Sequence, residues 1–409
     1  MGNEKPKTMY VLTQEHILKH YDLKCNCITN RTEYANKGSK VFEKISDRTV
    51  SSMVMQCNQN RIATNQTIVR TVLNNELVVP KYNPFTEYLE SLPEWDKTTD
   101  YIKEISDLIV TDCHHWEEWF KKYFVTMIAS WCRKKAFNEV MLVLFGGQGI
   151  GKSTFIRNLL PDELQEYFYS GLIDPANKDH LSLATAKGLI NIDELIGLNR
   201  KRYAELKELL TKQIITVRLP YAAYSTDAKR IATFAGTTNV EGFLYDLSGS
   251  RRFLCIDAKQ INYAKTLHLK EAYSQAYYLI NEGNFQYYFN SQDQKNIESH
   301  NKQFEVISPV EEAINAHFKK CNKGEESIIL TATEIAHVIY NGKASMNESL
   351  IRSIGSFLTA KEFVKGKTKN GNKGYYLQYA DEIDQTELFN LIEEATNQRI
   401  INQNKLKNN

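Results

Sequence analysis

The chain of 409 residues carries 51 Lys+Arg against 49 Asp+Glu, a net charge of +2. At about 100–200 residues per domain this length predicts two to four domains, and a hydrophobic fraction of 42% excludes wholesale disorder. The balanced charge excludes a uniformly basic nucleic-acid coat but leaves room for local patches.

The opening segment, MGNEKPKTMY, has no apolar stretch of the secretory kind, and Pro6 stands where an acylation pattern needs Ser or Thr. Residues 21–27 alternate as a strand, and Asn30-Arg31-Thr32 turns the chain into a partner strand. Ile68, Val69, Val72 and Leu73 then recur at helical spacing. Residues 1–80 are therefore expected to form a small α+β N-terminal module. Pro80 and Pro84 mark a boundary.

A helical subdomain is expected over 81–137. Phe85, Tyr88, Leu89 and Leu92 begin it, and 101–135 continues with Ile102, Ile105, Leu108, Ile109, Trp116, Phe120, Tyr123 and Phe124 as helix core. Cys113-His114-His115 lacks a partner pair at metal-ligand spacing and reads as ordinary helix residues. Seven cysteines, an odd number without a CxxC, exclude a zinc ribbon and a disulfide framework. The longest apolar run, 140–145, is too short to span a bilayer. A soluble, cytoplasmic protein is expected.

From 138 to 258 the pattern becomes strand–loop–helix, predicting an α/β core. Residues 259–318 read as a helical lid or connector. Residues 319–380 read as helices followed by a basic hairpin, and 381–409 as a helix and tail. The unit at 319–380 holds ten Lys+Arg and five Glu, a local +5, so the remaining chain carries −3.

The strongest motif is Gly146-Gly147-Gln148-Gly149-Ile150-Gly151-Lys152-Ser153, which matches GxxxxGK[ST] after an apolar strand. With Thr154, which begins the following helix, these residues form the expected nucleotide-binding set. Glycines let the backbone curl closely around triphosphate oxygens. Lys152 is expected to reach the β- and γ-phosphates of ATP, and the Ser153 hydroxyl to ligate Mg²⁺.

Residues 188–195 form an apolar strand that ends in two carboxylates. Asp193 suits the metal role, and Glu194 suits polarisation of the attacking water. A third strand runs to Asn239, placed to sense the γ-phosphate or that water. Gly249-Ser250-Arg251-Arg252 follows. One of the two arginines is a candidate finger for a nucleotide held by a neighbouring subunit, which requires a ring.

The set GGQGIGKS, LINIDEL, VRLPYAAYSTDAKR, FAGTTN and GSRRF, in this order, resembles the virulence-associated E family. That family lies within or close to the superfamily 3 helicases of phages and mobile elements. The likeness covers about 80–258 and implies an AAA+-like P-loop NTPase. It further implies an ATP-dependent DNA helicase or translocase, assembled as a homo-hexamer and active in replication of a mobile element. Lys152, Ser153, Asp193, Glu194, Asn239 and one of Arg251 or Arg252 match its motif positions. Some relatives carry a primase or polymerase domain. No carboxylate triad is visible in the first 80 residues here, so a separate primase or polymerase is the expected partner.

Residues 216–230 read as a hairpin. In the resembled helicases such a hairpin enters the central channel, where Arg218, Lys229 and Arg230 would meet DNA phosphates and Tyr221 or Tyr224 a base. Lys207 on the preceding helix is a weaker candidate. The basic hairpin carrying Lys365, Lys367, Lys369 and Lys373 resembles the wing of a winged helix-turn-helix. Single-stranded or forked DNA is the expected substrate. Two rivals remain: a DNA-binding ATPase switch or loader that does not unwind, and a small-molecule kinase. The kinase reading leaves GTTN and SRR without a purpose.

Overall fold

The computed structural model describes residues 7–132, 137–174, 176–195, 200–217, 224–244, 249–263, 267–306, 308–323, 327–340, 348–368, 371–380 and 391–394. The chain divides into two units, Met1–Glu305 and Val306–Asn409.

The first unit opens with α1 (Met9–His20), β1 (Tyr21–Asn26), β2 (Arg31–Asn36), β3 (Glu43–Lys44), α2 (Asp47–Gln59), α3 (Gln66–Leu73) and β4 (Lys81–Tyr82). The strands form one sheet in the order β3-β2-β1-β4, with β1 and β2 antiparallel as the Asn30 turn predicts. Ile17, Leu23, Val50, Met53, Val69 and Val72 form a small core of their own. The sheet extends one short strand past the Pro80 boundary.

Next come α4 (Pro84–Glu90), α5 (Tyr101–Ser106), β5 (Ile109–Val110) and α6 (Trp116–Trp131). The helix expected to run through 101–135 is broken. Ile109-Val110 takes the extended form that β-branched residues favour and pairs with a strand far along the chain. Cys113, His114 and His115 therefore lie in the turn before α6 rather than within a helix. The His115 ring stacks on Trp119 at 4.9 Å.

Helix α6 is buried on nearly every side, as expected of a helix that is apolar all round. Tyr123 donates its hydroxyl to Phe234 O at 2.9 Å, and the Trp131 indole donates to Gly188 O at 2.9 Å. These two bonds fix α6 against the sheet described next.

That sheet contains β6 (Met141–Phe145), followed by α7 (Lys152–Arg157), β7 (Phe168–Ser170), α8 (Lys178–Ala186) and β8 (Leu189–Ile192). Then come α9 (Arg200–Thr211), β9 (Ile214–Val217), β10 (Thr226–Lys229), β11 (Thr233–Thr238), β12 (Phe253–Asp257) and β13 (Gln260–Ile261). Five strands lie in the order β12-β6-β11-β8-β7, and every pairing is parallel.

Alternation along the strands explains the continuous apolar runs. Leu142 and Leu144 face one core with α6, while Met141 and Val143 face a second core with Leu206, Leu209 and Leu210 of α9. A parallel sheet covered on both faces needs this all-apolar pattern. Strand β11 is buried along its whole length and separates β6 from β8. Strands β9 and β10 form a separate antiparallel pair, and β13 pairs with β5. Helices α10 (Leu269–Asn281) and α11 (Ser291–Asn301) complete the unit. Among the described residues no helix is long and apolar enough to cross a membrane.

The second unit contains α12 (Pro309–His317), β14 (Phe318–Lys320), β15 (Ile328–Leu330), α13 (Ala332–Ile339), α14 (Glu348–Ala360), β16 (Lys365–Lys367) and β17 (Lys373–Tyr379). It begins before the expected boundary at 319. Ile314 of α12 is fully buried in the same core as Leu330, Ile335, Ile354, Leu358 and Leu377, so α12 belongs here rather than to the connector. Thr331 and Glu334 form the capping box at the start of α13. Strand β17 pairs with β14, β15 and β16.

Candidate functional site

Residues 146–151 link the carboxyl end of β6 to α7. Gly146, Gly149 and Gly151 have φ of 152°, 80° and 95°, so the loop needs residues free of a side chain. A Cβ on Gly146 would lie 2.3 Å from Ala258 O, and one on Gly151 would lie 2.2 Å from the Tyr263 ring. Gly147, Gln148 and Gly149 are exposed, and Ile150 is half-buried.

Lys152 is buried and donates to Gly146 O and Gly147 O, both at 2.7 Å. Burial pushes its pKa down. The ammonium is thereby held back against its own loop. Ser153 and Thr154 are exposed at the start of α7.

The acidic strand β8 ends beside this loop. Asp193 accepts hydrogen bonds from Ser153 Oγ at 2.8 Å, Ser170 Oγ at 2.5 Å, Asn191 Nδ2 at 2.6 Å and Thr237 Oγ1 at 3.1 Å. Burial raises its pKa, but the donors outweigh that and hold it below the usual carboxylate value. Glu194 is exposed and has φ of 53°. A non-glycine residue in the left-handed region is uncommon and here turns the chain sharply at the strand end. Asn239 is exposed at the end of β11.

These residues share one cleft of about 730 Å³, lined by Gln148, Lys152, Ser153, Asp193, Glu194, Asn239 and Tyr263 among others. It lies at the carboxyl edge of the parallel sheet, where open α/β sheets bind ligands. Ser170 and Tyr263 carry no sequence signal, and Thr237 carries only its place in the FAGTTN motif. The two hydroxyls reach Asp193 from strands β7 and β11, and only the strand order brings them there.

Arg251 and Arg252 lie elsewhere. They occupy a 3-10 turn, Ser250–Arg252, just before β12. Phe253 pairs with Met141 and Asp257 with Phe145, so this turn sits at the amino edge of the sheet, opposite the glycine loop. Arg251 is exposed and Arg252 half-buried. Both line a smaller pocket of about 220 Å³ with Glu139, Tyr288 and Gln294. Asn301 is fully buried and donates through Nδ2 to Ser250 O at 2.9 Å and Phe253 O at 2.7 Å. It clamps both ends of the arginine turn.

The hairpin requires a correction. Arg230 is buried at 1% exposure and does not face solvent as a DNA contact. Its guanidinium donates to Lys212 O, Leu210 O and Asn138 O at 2.8 Å each and to Ala232 O at 2.5 Å. Burial pushes its pKa down to about 10, still protonated at neutral pH, with Glu139 opposing the shift. Lys229 is half-buried at the end of β10, and Tyr224, two residues before that strand, is 82% exposed. Arg218 and Tyr221 lie outside the described residues. Lys207 lies over the Tyr203 ring at 5.3 Å.

In the second unit Lys365, Lys367 and Lys373 are exposed. Lys367 is paired directly with Lys373 across β16 and β17. Lys365 is two residues from Lys367, so all three share one face of the hairpin. Lys369 lies outside the described residues.

The class these features define is an α/β protein with an all-parallel sheet and a polar, glycine-rimmed cleft at its carboxyl edge. The virulence-associated protein E-like domain model matches residues 89–306, and the chain belongs to that family. No curated protein matches it. Its fold is similar to the apo structure of the NrS-1 C-terminal region, with a TM-score of 0.52 and 14% identity over 92% of this chain and 100% of that one. A second NrS-1 C-terminal region structure, the A form, gives 0.51 and 12% over 91% and 100%.

Proposed function

We propose that the chain is an ATP-dependent DNA motor of superfamily 3 type, acting in replication of a phage or mobile element. The observation that carries this reading is the gathering of Lys152, Ser153, Asp193, Glu194 and Asn239 from three strand ends into one cleft. The family membership supports the mobile-element setting.

In this reading the loop from Gly146 to Thr154 holds the triphosphate, and Lys152 leaves its two carbonyls to meet the β- and γ-phosphates. Ser153 and Asp193 present hydroxyl and carboxylate oxygens 2.8 Å apart, an all-oxygen set that suits Mg²⁺. When bound, that ion supplies charge neutralisation at the phosphates. The Glu194 carboxylate takes up the proton of the attacking water, and the Asn239 amide orients that water or the γ-phosphate.

The arginine turn supports a ring. A five-residue strand spans about 16 Å, so Arg251 and Arg252 stand too far from the glycine loop of their own chain. A neighbouring subunit in a homo-hexamer is the natural recipient, and the guanidinium stabilises charge developing on the phosphoryl group. The β9–β10 hairpin with exposed Tyr224, and the lysine face of β16–β17 in a winged-helix unit, supply DNA contacts.

The test is ATP hydrolysis with and without single-stranded DNA, together with strand separation on a fork. DNA-stimulated hydrolysis with unwinding is expected. Hydrolysis indifferent to DNA, with no strand separation, would sink the motor reading.

A further inference from the structure

The segment after β12 runs as a strap along the glycine loop. Ala258 N–H donates to Phe145 O at 2.8 Å, and Ala258 O sits where a side chain on Gly146 would collide. At the far end the Tyr263 ring lies against Gly151, where an added Cβ would collide with Cδ1 and Cε1. The strap thus touches both ends of the loop.

It is also held firmly. Gln260–Ile261 pairs with β5. Lys259 N–H donates to Val110 O and Asn262 N–H to Leu108 O, each at 2.9 Å. Ile261 is buried in the main core. The residue after this clamp, Tyr263, is 48% exposed and lines the cleft. The ring is left half in solvent, on a backbone held by the β5 pairing, at the wall of the cleft beside the glycine loop. This is the arrangement a planar ligand needs.

We propose that Tyr263 is the platform on which the base of a nucleoside triphosphate stacks. This inference rests on the nucleotide reading of the cleft and adds a residue to it. A phosphate loop alone holds any triphosphate, with or without a nucleoside. An aromatic face beside it gives preference to one that carries a base, because every base has a π-face to offer. The clamp to β5 means that little ordering is needed on binding.

The experiment compares ATP with inorganic tripolyphosphate, each with Mg²⁺, by calorimetric titration of the full chain. The wild type is expected to bind ATP more tightly than tripolyphosphate. Tyr263→Ala should weaken ATP by about ten- to a hundredfold and leave tripolyphosphate within about twofold. Tyr263→Phe and Tyr263→Trp should keep ATP near the wild-type affinity, since the ring rather than the hydroxyl acts. Equal losses for both ligands would assign Tyr263 to support of Gly151 and overturn the platform. Unchanged ATP affinity in Tyr263→Ala would overturn it as well. A wild type that binds neither ligand overturns the nucleotide reading itself, a result distinct from both.

Discussion

Arg230→Ala separates two physical pictures of the hairpin. On the chain it stands beside Lys229 at the base of a basic hairpin. In the fold it is an interior anchor whose guanidinium makes four hydrogen bonds to backbone carbonyls and lies over the rings of Phe137 and Phe234 at 5.2 and 5.6 Å. Truncation leaves those four carbonyls without their donor, at about 1 kcal/mol each, and opens a cavity the size of the side chain. Relief of the buried charge offsets part of this. The net loss is about 3–5 kcal/mol. Arg230→Lys should lose most of it too, because a single ammonium cannot span four carbonyls as a planar fork does. All four tryptophans, Trp95, Trp116, Trp119 and Trp131, lie in the first unit, so tryptophan fluorescence in urea reports that unit selectively. A variant within about 1 kcal/mol of wild type but with weakened, less salt-dependent DNA binding would refute the anchor and restore the surface contact.

Four further outcomes follow from the same geometry. Lys152→Ala should lower ATP binding and hydrolysis by at least about a hundredfold, measured by titration and phosphate release. A mixture of Lys152→Ala subunits with Arg251→Ala, Arg252→Ala subunits, each inactive alone, should recover part of the hydrolysis. Complete inactivity of the mixture counts against arginine donation between subunits. Gly236→Ala should destabilise the sheet by about 1–3 kcal/mol, because the new methyl would meet Met141 Cε at 2.6 Å and Ile192 O at 3.2 Å; urea unfolding checks this. Four hydrogen-bond donors hold the Asp193 carboxyl below the usual aspartate value of 3.8. Its donors therefore contribute stability that is present above 3.8 and lost as pH falls through the lower folded value. Unfolding curves across acid pH should show wild type losing this increment while Asp193→Asn does not.

Much of the cleft was legible because its parts are local. The glycine loop announces itself by composition, and strands β6, β8 and β11 by short apolar runs that end in polar residues. The remainder depended on contacts between distant segments. Ser170 and Thr237 are ordinary strand residues until the order β6-β11-β8-β7 turns their hydroxyls onto Asp193. The two-residue pairing of β5 with β13 carries no periodicity, so 101–135 read as one helix. In sequence Arg230 reads as a surface contact because a cation beside Lys229 resembles an exposed pair. The only hint was the apolar run Ile231-Ala232 immediately after it, which signals a chain already entering the core. Residues 259–318 read as one connector although Ile314 packs in the core of the second unit, because a helix boundary says nothing about which core the helix joins.

Strand β11 runs from the root of the hairpin to the rim of the cleft. Arg230 and Ala232 lie just before its first residue, and Asn239 follows its last. Six residues of extended chain span about 20 Å, hydrogen-bonded along both edges and buried throughout. Such a strand neither shortens nor bends at little cost. A displacement imposed at Asn239 must shear the neighbouring strands or arrive at the other end undiminished, where the Arg230 guanidinium grips the carboxyl end of α9. The strand is therefore the stiff, fully buried connection between the root of the hairpin and the rim of the cleft.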